Sequence, residues 1–188
     1  MQNILNINSR EEFREWLNAH GDKESCCYLS LCRAKPKDDG KLYYLDAVEE
    51  ALCFGWIDST LCKIDGKSYQ RFSPRQKNSL WTELNKERVR RLEKLGLMTE
   101  SGKKVLPDMT KQKIVIPQDI KKALAEINAL DNFNNFPDLY KRVRLYNLTF
   151  CKNKLPKSYN KALAHFIEAT RQNKTYGQWN DYGRLLNY

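Results

Sequence analysis

Histidine is scarce in this sequence, which argues against a Cys/His zinc site. Of the 188 residues, only His20 and His165 are histidines. The six cysteines, at positions 26, 27, 32, 53, 62 and 151, contain no Cys-x-x-Cys pair. A Cys/His zinc site or a metalloprotease helix needs more ligands at closer spacing than this. We therefore expect no bound metal.

The sequence also lacks long apolar runs and glycine-rich loops. No stretch approaches the ~20 apolar residues that cross a bilayer, and residues 1–10 do not have the pattern of a signal peptide. A phosphate-binding loop and a nucleophile elbow are both missing. We therefore expect a cytoplasmic protein with no transmembrane segment, no cofactor and reduced cysteines that are mostly buried.

Positive charge is concentrated in two parts of the chain, whose formal net charge is +10. Residues 1–62 carry seven basic and eleven acidic side chains, residues 63–100 ten and five, and residues 137–188 ten and three. The basic parts predict an anionic partner, either a small carboxylate- or phosphate-bearing molecule or a nucleic acid. The alternative is a solvated basic surface that only keeps the protein soluble.

The first fifty-five residues contain two helix signals separated by a strand signal. Ser9, with Glu12 as its capping-box partner, begins a short helix that ends at Gly21. Residues 26–34 are rich in strand formers. Apolar residues at helical spacing predict a second helix over residues 44–54.

A β-hairpin is predicted next. Residues 56–64 have the composition of a strand, and residues 67–72 form the expected return strand. Between them, Asp65-Gly66 predicts a type I′ turn, because both central positions of that turn need positive φ. Pro74 is expected to end the pairing, since proline has no N–H to donate.

A third helix is predicted after the hairpin. Asn78 or Ser79 is expected to cap it, and it extends to Leu95. Arg88 falls on its apolar side, which otherwise carries leucine and valine. Thr99 is expected to cap a further short helix or turn.

The rest of the chain predicts three compact helices that open at Pro117, Pro137 and Pro156, because proline suits the first helical turn. The predicted fold is therefore α+β, with a small antiparallel sheet packed with helices and a three-helix C-terminal segment. We divide the chain into an α+β domain (1–112), a helical segment (113–175) and a polar-aromatic tail (176–188).

Trp56 and Asp58 are the first candidates for a ligand pocket. They lie two residues apart at the start of a strand, so their side chains point to the same face. Trp56 could form the floor of a pocket, or it could be a core residue, as large aromatics usually are. Asp58 could bind a ligand or pair internally with Arg88, which needs a partner wherever it is buried.

An anion site is predicted around the turn that follows the hairpin. Arg71 and Arg75 flank a Ser-Pro turn, and Lys77 follows closely. Guanidinium groups bind carboxylate and phosphate through paired hydrogen bonds, and a helix that begins at Ser79 would add its N-terminal amides. Trp81 completes the predicted ligand-binding residues. The alternative is surface charge beside an ordinary helix cap.

One further pattern suggests nucleic-acid binding. Tyr140, Arg142, Arg144 and Tyr146 interleave aromatic and basic side chains, as single-strand binders do. Tyr146 is expected on the inner side of its helix, so only part of this set could face a nucleic acid.

The middle of the chain carries a distinctive set of segments: Tyr44–Asp58, Arg71–Arg75, Ser79–Trp81, Asn85–Arg88, Gly96–Thr99 and Gly102. With these segments it resembles the YdeI/OmpD-associated family, whose members are called bacteriocin-protection proteins. The resemblance covers about residues 16–102 and extends more weakly over residues 116–174. It implies a bacterial protein connected with envelope stress and bacteriocin tolerance, with no established catalytic residues.

Three hypotheses about function follow from these observations. The leading one is a non-enzymatic cytoplasmic protein of the stress or bacteriocin-protection type that binds an anionic ligand. The second is a nucleic-acid-binding protein that uses its basic helices. The third is a small-molecule enzyme in which Asp58 acts as an acid or base.

Overall fold

The computed structural model describes residues 3–110 and 113–188, which form two compact units. Within them, the first unit comprises residues 3–80, 88–109 and 188, and the second comprises residues 81–87, 110 and 113–187. The predicted boundary after residue 112 falls at residues 111–112, which lie outside the described residues. Residues 176–187 of the predicted tail belong to the second unit.

The predicted fold class is confirmed: the described residues contain a three-stranded antiparallel sheet and eight α-helices, and the C-terminal part is helical. None of these helices combines the length and apolar character needed to cross a lipid bilayer. The elements before residue 110 are α1 (Arg10–His20), β1 (Cys27–Leu29), α2 (Tyr44–Cys53), β2 (Trp56–Ile64), β3 (Lys67–Pro74), α3 (Glu83–Lys94) and α4 (Glu100–Lys104).

The hairpin of β2 and β3 has the predicted geometry. Asp65 and Gly66 have φ angles of 48° and 77°, as a type I′ turn requires. Pro74 pairs with Trp56 at the end of the ladder. β3 therefore extends two residues beyond the predicted end of the return strand, and it lies between β1 and β2 in the sheet.

The pairing register decides which side chains share a face of the sheet. Phe72 pairs with both Cys27 and Asp58, so these three side chains lie on one face. Phe72 is fully buried there and packs edge-on against Phe13 of α1, with ring centroids 5.5 Å apart. Arg71 precedes Phe72 in the strand and therefore points to the opposite face.

α2 buries three carboxylates, which the sequence pattern did not predict. Asp46, Glu49 and Glu50 are each at most 7% exposed. Glu49 accepts hydrogen bonds of 2.9 Å from Arg10 of α1 and from Arg91 of α3, and Arg10 also binds Glu50. These pairs satisfy charges that would otherwise be very costly to bury.

α4 packs directly onto the end of α2. Thr99 caps α4, as predicted, by accepting a hydrogen bond from the N–H of Gly102 at 3.2 Å. The same hydroxyl donates to the carbonyl oxygen of Cys53 at 2.7 Å. A Cβ atom added at Gly102 would lie 2.1 Å from that carbonyl oxygen, so only glycine fits this contact.

The predicted start of α3 is wrong. The helix begins at Glu83, and the hydroxyl of Thr82 accepts a hydrogen bond from the N–H of Asn85 at 3.1 Å. Ser79 instead closes a turn, in which its hydroxyl accepts a 3.0 Å bond from the N–H of Gln76. Serine and threonine are both good caps, so local sequence did not distinguish the two positions.

The second unit contains the three predicted helices and one that was not predicted. Its elements are α5 (Gln118–Glu126), α6 (Leu130–Asn135), α7 (Asp138–Lys154) and α8 (Pro156–Arg171), followed by a 3₁₀ turn at Asp181–Gly183. Pro156 is the first residue of α8, whereas Pro117 and Pro137 precede the first residues of their helices. The short α6 escaped prediction because its six residues carry little periodic pattern.

The core of the second unit is centred on α7. Leu139 and Val143 of this helix are buried, whereas Phe150 is exposed. Tyr140 is fully buried instead, and Trp179 packs edge-on against it with ring centroids 5.5 Å apart. This contact fixes the segment after α8 against the core.

Candidate functional site

A hydrogen bond between Tyr44 and Asp58 forms the centre of the candidate site in the first unit. Tyr44 is the first residue of α2, and its hydroxyl donates to Oδ2 of Asp58 in β2 at 2.6 Å. Burial raises the pKa of the Tyr44 hydroxyl well above its usual range, and the nearby Asp58 carboxylate raises it further. Tyr44 therefore stays protonated at neutral pH and donates a hydrogen bond to Asp58.

Arg33 covers the ring of Tyr44. Its guanidinium carbon lies 4.5 Å from the ring centroid, which is a cation–π contact. The same guanidinium donates to Oε1 of Gln70 at 2.6 Å. The Gln70 amide is held in turn by the carbonyl of Thr60, at 3.4 Å, beside a β-bulge between Asp58 and Leu61. Arg33 is exposed, yet its position is fixed by two contacts.

Two further arginines lie close to the pair formed by Tyr44 and Asp58. Arg75 is 7% exposed and donates to the carbonyl of Leu80 at 3.1 Å. Burial lowers its pKa to about 10, and the attraction of Asp58 opposes this shift, so Arg75 remains charged at neutral pH. Arg88 is near enough for its positive charge to oppose the rise in the pKa of Tyr44.

We call these five residues, Arg33, Tyr44, Asp58, Arg75 and Arg88, the Tyr44 cluster. It contains three guanidinium groups and one carboxylate. A cleft of about 140 Å³ lies beside it, and Arg33 belongs to both. The cleft is lined by Leu31, Arg33, Leu61, Ser68 and Gln70.

Trp56 is a core residue. It is 1% exposed, and its indole N–H donates to the carbonyl oxygen of Gly21 at 3.2 Å. Trp16 packs edge-on against it at a centroid distance of 5.7 Å. Of the two interpretations of Trp56, the structure supports the core residue and not the floor of a pocket.

The structure does not bring Arg71 and Arg75 together. Arg71 lies on the face opposite Asp58, where one of its nitrogens donates to the hydroxyls of Ser59 and Ser73, both at 3.2 Å. Arg75 follows the end of β3, where its N–H donates to the carbonyl of Gly55 at 2.9 Å. The predicted pair of arginines around the Ser-Pro turn is therefore split by the sheet.

The other predicted residues near this turn do not form the expected helix terminus. Lys77 is exposed in the segment between β3 and α3. Ser79 lies in a turn four residues before α3 begins, so its amide is not part of a helix N-terminus. Trp81 is half-buried and belongs to the second unit.

Sequence reasoning missed Arg33 and Tyr44 as site residues. Tyr44 was assigned to a helix start, and Arg33 to the end of a strand signal. Neither is adjacent in sequence to Asp58, and the sheet and α2 bring the three residues together. The one local indication was that Tyr44 begins the segment Tyr44–Asp58, on which the family resemblance depends.

The interleaved residues of α7 are engaged inside the second unit. Arg142 donates to a carboxylate oxygen of Glu87 at 2.7 Å. Arg144 is 8% exposed and lies against the rings of Tyr140 and Tyr176. Arg142 and Arg144 are therefore both engaged by other side chains of this unit, and nucleic-acid binding stays a prediction.

The cysteines show no sign of a catalytic role. All six are free, but only Cys27 and Cys53 are buried, so the expectation that most would be buried is wrong. Burial raises the pKa of the Cys53 thiol to about 12, which leaves it protonated and unreactive at neutral pH. Among the described residues, no group of three or more His, Cys, Asp or Glu side chains could hold a metal ion.

Comparison with known proteins identifies a domain family. Residues 5–105 match the family model described as Domain of unknown function (DUF8412), and this segment contains the whole Tyr44 cluster. No curated protein and no solved structure matches the chain. The resemblance to YdeI/OmpD-associated proteins stays a prediction. Because the matched segment covers more than half of the 188 residues, the chain belongs to the DUF8412 family.

Proposed function

We propose that this protein binds a small anionic molecule at the Tyr44 cluster and does not transform it. The observation that carries this proposal is Arg33, an exposed guanidinium that lines the cleft and is held against the ring of Tyr44. Arg88 also lies near Tyr44, and Arg75 lies near Asp58. An ordered guanidinium at the wall of a cleft favours a carboxylate or phosphate group. The cleft volume of about 140 Å³ favours a small ligand or one charged end of a longer one.

Arg33 is the residue that we expect to contact the ligand first. It is exposed and lines the cleft, and its contacts with Tyr44 and Gln70 hold its guanidinium in place. A side chain that is already ordered loses less conformational entropy on binding. The more buried Arg75 contributes positive potential behind it.

Binding without catalysis is favoured by the protonation states of the cluster. The hydroxyl of Tyr44 stays protonated at neutral pH because its pKa is raised, so no phenolate forms to act as a base, and the hydroxyl already donates to Asp58. The cluster is thus better suited to holding charge than to moving protons.

We place this binding function in the cytoplasm and in a stress or bacteriocin-protection role. The support for the location is six cysteines with no disulfide among the described residues. The support for the role is the resemblance of residues 16–102 to YdeI/OmpD-associated proteins. Both statements are proposals that accompany the binding site.

Isothermal titration with inorganic phosphate and with malonate, at constant ionic strength, tests the site. We expect one of the two anions to bind the wild-type protein, and Arg33→Gln to weaken that binding by about tenfold or more, the worth of a charge-assisted hydrogen bond. Arg71→Gln is the matched control. It removes the same charge from the opposite face of the same sheet, and binding should be unchanged.

Two results would contradict the proposal. Equal losses in Arg33→Gln and Arg71→Gln would show that the anion responds only to overall charge. Absence of saturable binding by either anion to the wild-type protein would show that the cleft does not select a small anion. Urea unfolding of both variants establishes that each remains folded.

A further inference from the structure

The second unit contains a pocket of about 200 Å³ that the proposed function does not use. It lies along α7 and α8, with Tyr176 at one side. Its walls are largely apolar, and Arg144 is the one arginine or lysine in its lining. The lining residues are Arg144, Asn147, Leu148, Ala162, His165 and Tyr176.

Arg144 is a buried cation that donates a hydrogen bond to the hydroxyl of Tyr176 and has no acidic partner among the described residues. It is 8% exposed, and its guanidinium carbon lies 4.5 Å from the centroid of Tyr176 and 5.4 Å from that of Tyr140. No carboxylate among the described residues pairs with it, and none of those residues accepts a hydrogen bond from its buried Nε–H. Buried charges in proteins normally have a counter-ion, because burying a lone charge is costly.

The backbone holds Arg144 in position. Gly177 has a φ of 66°, and a Cβ atom added there would lie 2.9 Å from one terminal nitrogen of Arg144. The guanidinium therefore lies directly against the chain that follows α8. On the other side, His165 packs edge-on against Tyr176 at a centroid distance of 4.4 Å. The cation is thus fixed before any ligand arrives.

We propose that this pocket binds the carboxylate of a small organic acid, with Arg144 as its counter-ion. A guanidinium binds a carboxylate through two parallel hydrogen bonds, and Leu148 and Ala162 offer apolar contact to a short hydrocarbon chain. Asn147 and His165 are exposed residues that also line the pocket. One cation and apolar walls suit a monocarboxylate better than phosphate, which usually takes several donors. The site is separate from the Tyr44 cluster and does not depend on it.

Nuclear magnetic resonance of the full chain, labelled with ¹⁵N, tests this pocket with sodium propionate as the probe. The Nε–H signal of Arg144, assigned from its absence in Arg144→Lys, should shift saturably with propionate. Sodium chloride at equal ionic strength should not produce that shift, and inorganic phosphate should bind more weakly.

A second pair of variants tests the pocket without changing Arg144, in case Arg144→Lys does not fold. Asn147→Asp places a carboxylate in the pocket, and it should abolish propionate binding. Asn160→Asp makes the same change at an exposed position of α8 and should leave binding intact. Equal effects of these two variants, a shift that chloride reproduces, or saturation by phosphate but not by propionate would each overturn the proposal. None of these outcomes bears on the Arg33 and Arg71 titrations.

Discussion

At the scale of single residues, the first unit depends on charges that are buried in pairs. Glu49 is the clearest case, because it is fully buried and accepts hydrogen bonds from arginines on two different helices. The two arginines, Arg10 and Arg91, lie 81 positions apart in the chain. One carboxylate on α2 therefore links α1 and α3.

We predict that Glu49→Gln destabilises the protein by about 3 kcal/mol, because it removes a buried counter-ion that Arg10 and Arg91 share. This is the lower end of the range for breaking a buried ion pair, since Arg10 keeps its contact with Glu50. Urea unfolding followed by circular dichroism measures this loss. Glu100→Gln is the control, since Glu100 forms only an exposed pair with Lys103 and should leave the free energy of unfolding nearly unchanged. Similar stability of the two variants would show that the buried pairs contribute little.

At the scale of elements, the contact between α2 and α4 depends on one glycine. Gly102 lets α4 approach the carbonyl of Cys53 closely, and Thr99 adds a hydrogen bond to the same oxygen. That carbonyl belongs to the last residue of α2 and has no partner within the helix. α4 thus supplies the C-terminal cap of α2.

We predict that Gly102→Ala costs about 1–3 kcal/mol of stability, because the added methyl group collides with backbone and one of the two helices must move. Thermal unfolding by calorimetry measures the loss. Lys104→Ala lies on the same helix at an exposed position and should behave as the wild-type protein does. An unchanged melting temperature in Gly102→Ala would mean that the two helices are not in close contact.

Helices and turns could be predicted where a few neighbouring residues determine the structure. The Asp65-Gly66 hairpin and the Thr99 cap were found from sequence because each depends on two to four neighbouring residues. The start of α3 was missed because Ser79 and Thr82 are both acceptable caps, and only tertiary packing selects between them. The buried acids of α2 were missed because their arginine partners are distant in sequence.

At the scale of the whole molecule, net charge predicted an anionic partner but did not locate its site. The sequence places two arginines, Arg71 and Arg75, four residues apart, yet β3 presents Arg71 on one face while Arg75 lies near Asp58. The cluster that does form takes Arg33 and Tyr44 from residues outside the hairpin. Such a site depends on sheet register and on the packing of α2, which no local pattern contains.

The most direct test of the central claim is an anomalous difference map from crystals soaked in sodium selenate, a tetrahedral anion whose selenium can be located unambiguously. We expect a peak within hydrogen-bonding distance of the Arg33 guanidinium, at the mouth of the cleft beside the Tyr44 cluster. The peak should be missing in crystals of Arg33→Gln and present in those of Arg71→Gln. Selenium bound only at exposed lysines such as Lys77, with an empty cleft, would contradict the account.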